Sequence, residues 1–141
     1  MKSSIKYGTE NIDWDELYEV FRLATLGIRD SEKIESASKN SFLVCSAFVD
    51  SKLIGFGREI SDDFCQSAIY DVLVLPEFQN QGVGKTNMST LLEKLPRDST
   101  VLIFVAPGKE GFYRKFGFGN LKTGMGLFPD PEMSRVKGHL E

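Results

Sequence analysis

Apolar and polar positions recur along the chain with two periods, which predicts a mixture of helices and strands. From Trp14 to residue 26 the apolar side chains are spaced three and four apart, so we predict a helix over residues 14–26 with one buried face. Asp13 stands before this helix as a predicted N-cap, and Glu16 is placed to complete a capping box. A second and weaker helix is predicted from Ser31 to Lys39.

Short apolar runs rich in β-branched and aromatic residues predict the strands of one sheet. The run before residue 75 is apolar on both faces, as expected for a central, covered strand. The turn Asp50-Ser51 separates two runs and predicts a hairpin. The predicted strands are residues 4–7, 42–49, 52–60, 65–75 and 101–105.

A strand, a helix and another strand follow one another between residues 65 and 105. Met88, Leu91, Leu92 and Leu95 lie at helical spacing, which predicts a helix over residues 82–95. A crossover of this length is right-handed in nearly all known sheets, so strands 65–75 and 101–105 should run parallel.

The last third of the chain carries weaker signals. We predict a short helix over residues 110–115, then one or two antiparallel strands within 118–128. Residues 129–141, with their prolines and polar side chains, are expected to form a loosely held tail. We predict a single domain over residues 1–141.

The turn before the helix at residues 82–95 is built to hold an anion. The first N–H groups of a helix lack intrahelical partners, and the helix dipole favours negative charge there. Gly82 and Gly84 have no Cβ, so a diphosphate can approach the backbone closely. The expected donors are the amides of Gln81, Gly82, Val83, Gly84 and Lys85.

Three motifs could account for this turn, and residue spacing separates them. Gly84-Lys85-Thr86 supplies the second half of a Walker A loop, but Gln79 stands where the leading glycine belongs. The dinucleotide fingerprint fails because Asn87 occupies its third glycine position. The pattern that fits is Gln/Arg-x-x-Gly-x-Gly/Ala, which is Gln79-Asn80-Gln81-Gly82-Val83-Gly84 in this chain.

Placed after its apolar strand, this pattern resembles the coenzyme A loop of the GNAT superfamily of acyl-CoA N-acyltransferases. The resemblance extends from Leu53-Ile54-Gly55-Phe56-Gly57-Arg58 to Phe112-Tyr113 and Phe116-Gly117-Phe118. It implies an α/β (α+β) fold with a mixed, mostly antiparallel sheet of about six to seven strands and about four flanking helices. In that fold one parallel strand pair is splayed at the cofactor site, where a bulge admits the pantetheine arm.

The resemblance also assigns candidate roles to particular residues. It implies acetyl-CoA as the acetyl donor, with a backbone N–H near Val74 as the oxyanion donor and Tyr113 as the general acid. The positions that often carry the base are Ala68 and Tyr70 here, so we consider Asp71, Glu59 or a chain of water molecules instead. The residues implied to bind the cofactor are Val72, Leu73, Val74, Gln79, Asn80, Gln81, Gly82, Val83, Gly84, Lys85 and Tyr113.

Composition narrows the classes of partner. A net charge of −3 and a pI near 5.3 argue against nucleic-acid binding, and no apolar run is long enough to span a bilayer. We therefore expect no nucleic-acid or membrane partner and a cytoplasmic location. Cys45 and Cys65 lack metal-binding spacing, so we predict two buried free thiols and no metal.

The predicted function is acetyl transfer from acetyl-CoA to a small-molecule primary amine by direct attack in a ternary complex. Gly55-Phe56-Gly57-Arg58 and Asp71-Val72-Leu73-Val74 resemble a subgroup that includes plant serotonin N-acetyltransferases, which suggests an arylalkylamine or polyamine. A protein amine remains open, and a homodimer is compatible with the family. Two alternatives are a non-catalytic acyl-CoA sensor and a P-loop nucleotide-binding protein.

Overall fold

The computed structural model describes residues 2–24 and 29–141 and divides into two compact units. The first unit ends at Ile103, the second begins at Phe104, and each is described by itself. The first contains β1 (Ser4–Tyr7), α1 (Trp14–Ala24), α2 (Ser31–Lys39), β2 (Leu43–Val49), β3 (Lys52–Ser61), β4 (Gln66–Val74), a 3-10 turn (Pro76–Phe78), α3 (Val83–Glu93) and β5 (Thr100–Ile103). The second contains α4 (Glu110–Arg114) and α5 (Pro131–Val136).

The first unit is built on one sheet with the strand order β1-β2-β3-β4-β5. The first three pairings are antiparallel, and β4 pairs with β5 in parallel. The predicted mixed, mostly antiparallel sheet with one parallel pair is therefore confirmed. The predicted end of the first helix at residue 26 lies outside the described residues.

The sheet has five strands in the described chain rather than the predicted six to seven. The missing strands were predicted within 118–128, where the structure has turns and irregular backbone. This short segment contains Gly119, Gly124 and Gly126, and glycine weakens a strand because it loses more backbone freedom and brings no side chain to pack.

The start of α1 shows which part of the predicted capping box forms. Asp13 Oδ1 accepts hydrogen bonds from the N–H groups of Asp15 and Glu16, at 3.0 and 3.3 Å, which confirms the N-cap. The Glu16 carboxylate does not return to the cap, so the capping box is wrong. It accepts a hydrogen bond from the N–H of Leu53 and so joins α1 to the beginning of β3.

Helices cover both faces of the sheet. The ring centroids of Phe21 on α1 and Phe56 on β3 are 5.9 Å apart, and both side chains belong to the buried core. A Cβ on the next residue, Gly57, would lie 2.8 Å from Leu91 Cδ1 of α3. Successive strand residues point to opposite faces, so α1 lies on one side of β3 and α3 on the other.

Two glycines of β3 allow α3 to lie close to the sheet. A Cβ at Gly55 would come within 3.0 Å of both Asn87 Nδ2 and Val83 Cγ1, and the gap at Gly57 is smaller still. Neither contact leaves room for a methyl group, because interiors are packed near crystalline density. The two glycines therefore set the distance between α3 and β3.

Two features of the fold differ from the sequence predictions. Cys45 is buried as expected, but Cys65 is exposed beside the turn between β3 and β4. Residues 131–136, within the predicted tail, form α5; Asp130 accepts a hydrogen bond from the Met133 N–H at 3.1 Å, and Pro131 occupies the first turn. Among the described residues, no helix is long and apolar enough to cross a bilayer.

Candidate functional site

Two glutamine side chains in the loop between β4 and α3 bind carbonyl groups earlier in the chain and so hold the loop in place. Gln79 Nε2 donates a hydrogen bond to the Val74 carbonyl at 3.0 Å, and Gln81 Nε2 donates to the Glu77 carbonyl at 3.2 Å. The 3-10 turn after Leu75 reverses the chain before these residues. The first position of the Gln-x-x-Gly-x-Gly pattern thus holds the loop through its side chain.

The first turn of α3 presents backbone N–H groups that have no intrahelical partner. Gly82 is the N-cap residue, with φ 87° and ψ 0°, and its carbonyl accepts the first helical hydrogen bond from the Thr86 N–H at 3.0 Å. The amides of Val83, Gly84 and Lys85 precede that bond and are available to an anion. Val83 is buried in the core and anchors this end of the helix.

The left-handed backbone of Gly82 explains why glycine occupies this position. A φ of 87° is costly for a residue with a Cβ, whereas nothing lies within 4 Å of where that Cβ would be. The space is therefore open to a bulky ligand approaching the backbone. Anion binding at this turn stays a prediction, for which an open backbone is a requirement.

The side chain of Thr86 bears on the Walker A alternative. Its Oγ1 donates a hydrogen bond to the Gly82 carbonyl at 2.9 Å, so the hydroxyl is held against the helix backbone. In a P-loop, this hydroxyl binds the magnesium ion of the nucleotide. The observed hydrogen bond and the missing first glycine both disfavour a nucleotide site.

A bulge interrupts β4 just before its end. Phe56 pairs with Leu73 and Arg58 pairs with Tyr70, so one residue of β3 lies opposite two residues of β4, Asp71 and Val72. Asp71 has a φ of 56°, in the left-handed region. The parallel pairing with β5 covers residues 66–69 only, so β5 pairs with the half of β4 that precedes the bulge.

The carboxylate of Asp71 is held by two arginines from different parts of the first unit. Its Oδ2 accepts a hydrogen bond from Arg58 Nε at 2.7 Å, and its Oδ1 accepts one from Arg29 Nη1 at 2.8 Å. The side chains of Asp71 and Arg58 are only 11% and 13% exposed, whereas Arg29 is 50% exposed. Each carboxylate oxygen therefore already binds a cation.

Glu59, the other candidate base, lies in a different environment. Its residue has no exposed surface, and neither carboxylate oxygen has a hydrogen-bond partner among the described residues. Burial raises the pKa of Glu59 to about 7. Burial, together with the nearby charge of Glu59, raises the pKa of the Cys45 thiol to about 12. Glu59 can therefore hold a proton near neutral pH, but it is sealed from solvent.

Tyr113 belongs to α4 in the second unit. Its ring packs edge-on against Phe112 and Phe118, with centroid distances of 5.0 and 6.2 Å, and burial raises its pKa. The phenol therefore keeps its proton throughout the neutral range.

The first unit brings together most of the residues predicted to form the site. Val72, Leu73 and Val74 follow the bulge, and residues 79–85 follow directly in the loop and the first turn of α3. The sequence analysis missed Arg29 as a site residue, because nothing in its local pattern relates it to an aspartate 42 positions away. In the described chain, no three His, Cys, Asp or Glu side chains gather where they could hold a metal ion.

Comparison with known proteins agrees with this geometry. A family model described as the acetyltransferase (GNAT) family matches residues 7–118. An uncharacterized N-acetyltransferase of Porphyra purpurea, ycf52, is 34% identical over 116 residues, which cover 78% of this chain and 67% of that protein. A chloroplastic GCN5-related N-acetyltransferase of Arabidopsis thaliana is 32% identical over 114 residues, which cover 78% of this chain and 58% of that protein.

A solved structure is similar in fold. A probable acetyltransferase of Staphylococcus aureus superposes with a TM-score of 0.78 over 90% of this chain and 99% of that one, at 21% identity. At that identity the likeness concerns the fold alone. This chain spans about half to two thirds of the length of the curated relatives that it matches.

Proposed function

Because the chain belongs to the GNAT family of acetyltransferases, we propose that it transfers the acetyl group of acetyl-CoA to a primary amine. The amine attacks the thioester directly in a ternary complex. The observation that carries the proposal is the first turn of α3, where the amides of Val83, Gly84 and Lys85 have no intrahelical partner, together with the bulge near the end of β4.

We assign donor binding to the backbone of the first unit. The amides at the start of α3 bind the diphosphate of coenzyme A, and the end of β4 at Val72, Leu73 and Val74 binds the pantetheine arm as an added strand would. An N–H near Val74 donates a hydrogen bond to the thioester oxygen as it gains negative charge. The residues that complete the set are Gln79, Asn80, Gln81, Gly82, Val83, Gly84, Lys85 and Tyr113.

Tyr113 is the proposed general acid for the departing thiolate. A phenol with a pKa of about 10 or above is protonated at neutral pH and can donate to a thiolate of pKa about 8.5. The raised pKa of Tyr113 keeps the phenol in the donating form.

We propose that a chain of water molecules takes the proton from the amine. Asp71 has a cation on each carboxylate oxygen, and Glu59 has no surface through which an amine could reach it. Of the three possibilities left open by the sequence, the water chain is the one that both environments favour.

The proposed acceptor is a small-molecule amine, with the arylalkylamine and polyamine classes as the first to examine. These two classes come from the resemblance of residues 55–58 and 71–74 to the serotonin acetyltransferase subgroup. The alternative of a non-catalytic sensor rests on one observation, namely that Ala68 and Tyr70 provide no carboxylate at the positions where relatives often carry the base.

Thermal unfolding with separate ligands tests donor binding. A ligand at about 100 times its dissociation constant adds about 2.7 kcal/mol to the stability of the folded state, which raises the midpoint by several degrees. We expect a shift with acetyl-CoA and with coenzyme A but none with ATP and magnesium. A shift with ATP and magnesium alone would overturn the donor assignment.

Release of free thiol from acetyl-CoA then tests catalysis. We expect release that depends on an added amine, measured across arylalkylamines, polyamines and peptides with a free N-terminus. Binding of acetyl-CoA with no thiol release from any of these amines would favour the sensor. Labelled acetyl covalently attached to Cys45 or Cys65 during turnover would refute direct attack.

A further inference from the structure

We propose that Asp71 is a positioning residue, and that its ion pairs with Arg58 and Arg29 hold the β4 bulge in the shape required for acetyl transfer. This inference rests on the proposed function for its catalytic consequence, but the clamp itself is a property of the protein without ligand. Below, the bulge clamp means the side chains of Asp71, Arg58 and Arg29.

The backbone of Asp71 has an uncommon conformation for a strand residue. Its φ of 56° lies in the left-handed region, which residues with a Cβ adopt rarely, although Asp and Asn tolerate it better than most. Without the two ion pairs, residue 71 is freer to move toward the extended geometry of its neighbours, which would distort the bulge. Since a bulge changes which backbone groups face each neighbouring strand, its loss would re-aim the N–H groups of Val72, Leu73 and Val74.

The two arginines restrain Asp71 through different carboxylate oxygens. Arg58 is on β3, in the pair that borders the bulge, and its guanidinium also lies over the Tyr70 ring at 5.3 Å. Arg29 precedes α2, and its guanidinium lies over the Phe21 ring of α1 at 5.2 Å. Each arginine is therefore fixed at a second point besides the carboxylate. Asp71 cannot move to extended geometry without breaking both ion pairs.

Low exposure makes these pairs stronger than ordinary surface pairs. The carboxylate and the Arg58 guanidinium are almost excluded from water, so solvent screens their attraction weakly. Breaking either pair leaves a nearly buried charge with fewer partners, which is the costly case. The more exposed Arg29 contributes less, but it connects the bulge to the helical side of the unit.

Three substitutions at residue 71 separate this role from that of a base. Asp71→Asn keeps a hydrogen-bond acceptor and a residue type that tolerates positive φ. Asp71→Gly tolerates positive φ but removes both ion pairs, and Asp71→Ala removes the pairs and also disfavours the φ. We expect kcat/KM for acetyl transfer to fall least in the Asn variant and most in the Ala variant, with the Ala value lower by about tenfold or more.

The pattern of rates distinguishes the two roles. If Asp71 were the base, the three variants would lose kcat equally, and the acidic limb of the pH profile would disappear in all of them. Equal losses of that kind would overturn the proposal. In the clamp variants we expect the affinity for coenzyme A to change less than kcat, because the amides of α3 are not altered.

Hydrogen exchange of the protein without ligand tests the clamp independently of activity. We expect faster exchange for the peptide spanning residues 70–75 in Asp71→Ala and Arg29→Gln than in the natural protein. Arg22→Gln is the matched control, because Arg22 forms an exposed ion pair within α1, in which its Nη2 lies 2.8 Å from Glu19 Oε2. Unchanged exchange at residues 70–75 would refute the clamp, even if no amine proved to be a substrate.

Discussion

Replacing Glu59 by Gln should make the folded protein much more stable at pH 8 and only slightly more stable at pH 5. Glu59 is fully buried without a hydrogen-bond partner among the described residues, and its pKa is raised by burial from 4.5 to about 7. Glutamine has nearly the shape of the protonated acid and never ionises. The substitution therefore removes the cost of a buried charge and leaves the packing nearly unchanged.

The sign and the size follow from linkage between protonation and folding. Because the folded pKa lies above the unfolded one, the folded state binds more protons between pH 4.5 and 7, and stability falls as the pH rises through that window. Each unit of pKa corresponds to about 1.4 kcal/mol, so the total loss above pH 7 is about 3 kcal/mol. Glu59→Gln should recover about that amount at pH 8.

Urea unfolding at pH 5, 6, 7 and 8 measures the effect. The free energies of unfolding of the two proteins should differ by less than about 1 kcal/mol at pH 5 and separate progressively as the pH rises, with unchanged m values. Glu93→Gln is the control, because Glu93 is an exposed carboxylate at the end of α3. A constant difference between Glu59→Gln and the natural protein across this range would refute the reasoning, because it would mean that Glu59 does not titrate there.

Three further substitutions test the donor site. Gly82→Ala should destabilise the fold by about 1–2 kcal/mol in urea unfolding, since alanine disfavours a φ of 87° although its methyl group meets no neighbour; an unchanged midpoint would contradict this. Tyr113→Phe should lower turnover with little change in acetyl-CoA affinity measured by calorimetry, whereas equal losses of both would indicate a structural role. Lys85→Ala should leave coenzyme A affinity within about threefold if backbone amides bind the diphosphate, as we propose; loss of binding would assign that role to the Lys85 side chain.

Much of the first unit could be predicted from sequence because its signals are local. Hydrophobic periodicity located α1, helix start signals located α2, and the Asp50-Ser51 turn located the hairpin of β2 and β3. The crossover from β4 through α3 to β5 fixed the parallel pair. The glycine turn before α3 was predictable for the same reason, since its glycines and the helix start are adjacent in the chain.

The features of the fold and the site that the sequence did not predict depend on contacts between residues far apart in the chain, or on a balance between weak preferences for strand and loop. Nothing in the sequence links Arg29 to Asp71, or indicates that Glu16 would bond to β3 rather than to its own helix start. The apolar residues of 118–128 suggested strands, but the glycines between them weigh against a ladder. Cys65 immediately precedes β4, and its exposure depends on the residue at which that strand begins. The apolar content of the sequence does not determine that residue.

The glycines at 55 and 57 give β3 an influence on the amides at the start of α3. A helix moves nearly as a rigid rod, so a methyl group added under Asn87 or Leu91 would be felt at the start of α3 as a displacement of its amides. The affinity for an anionic ligand is therefore adjustable from the middle of the sheet. During divergence of such proteins, small residues in this strand can tune donor binding while every residue of the loop stays the same.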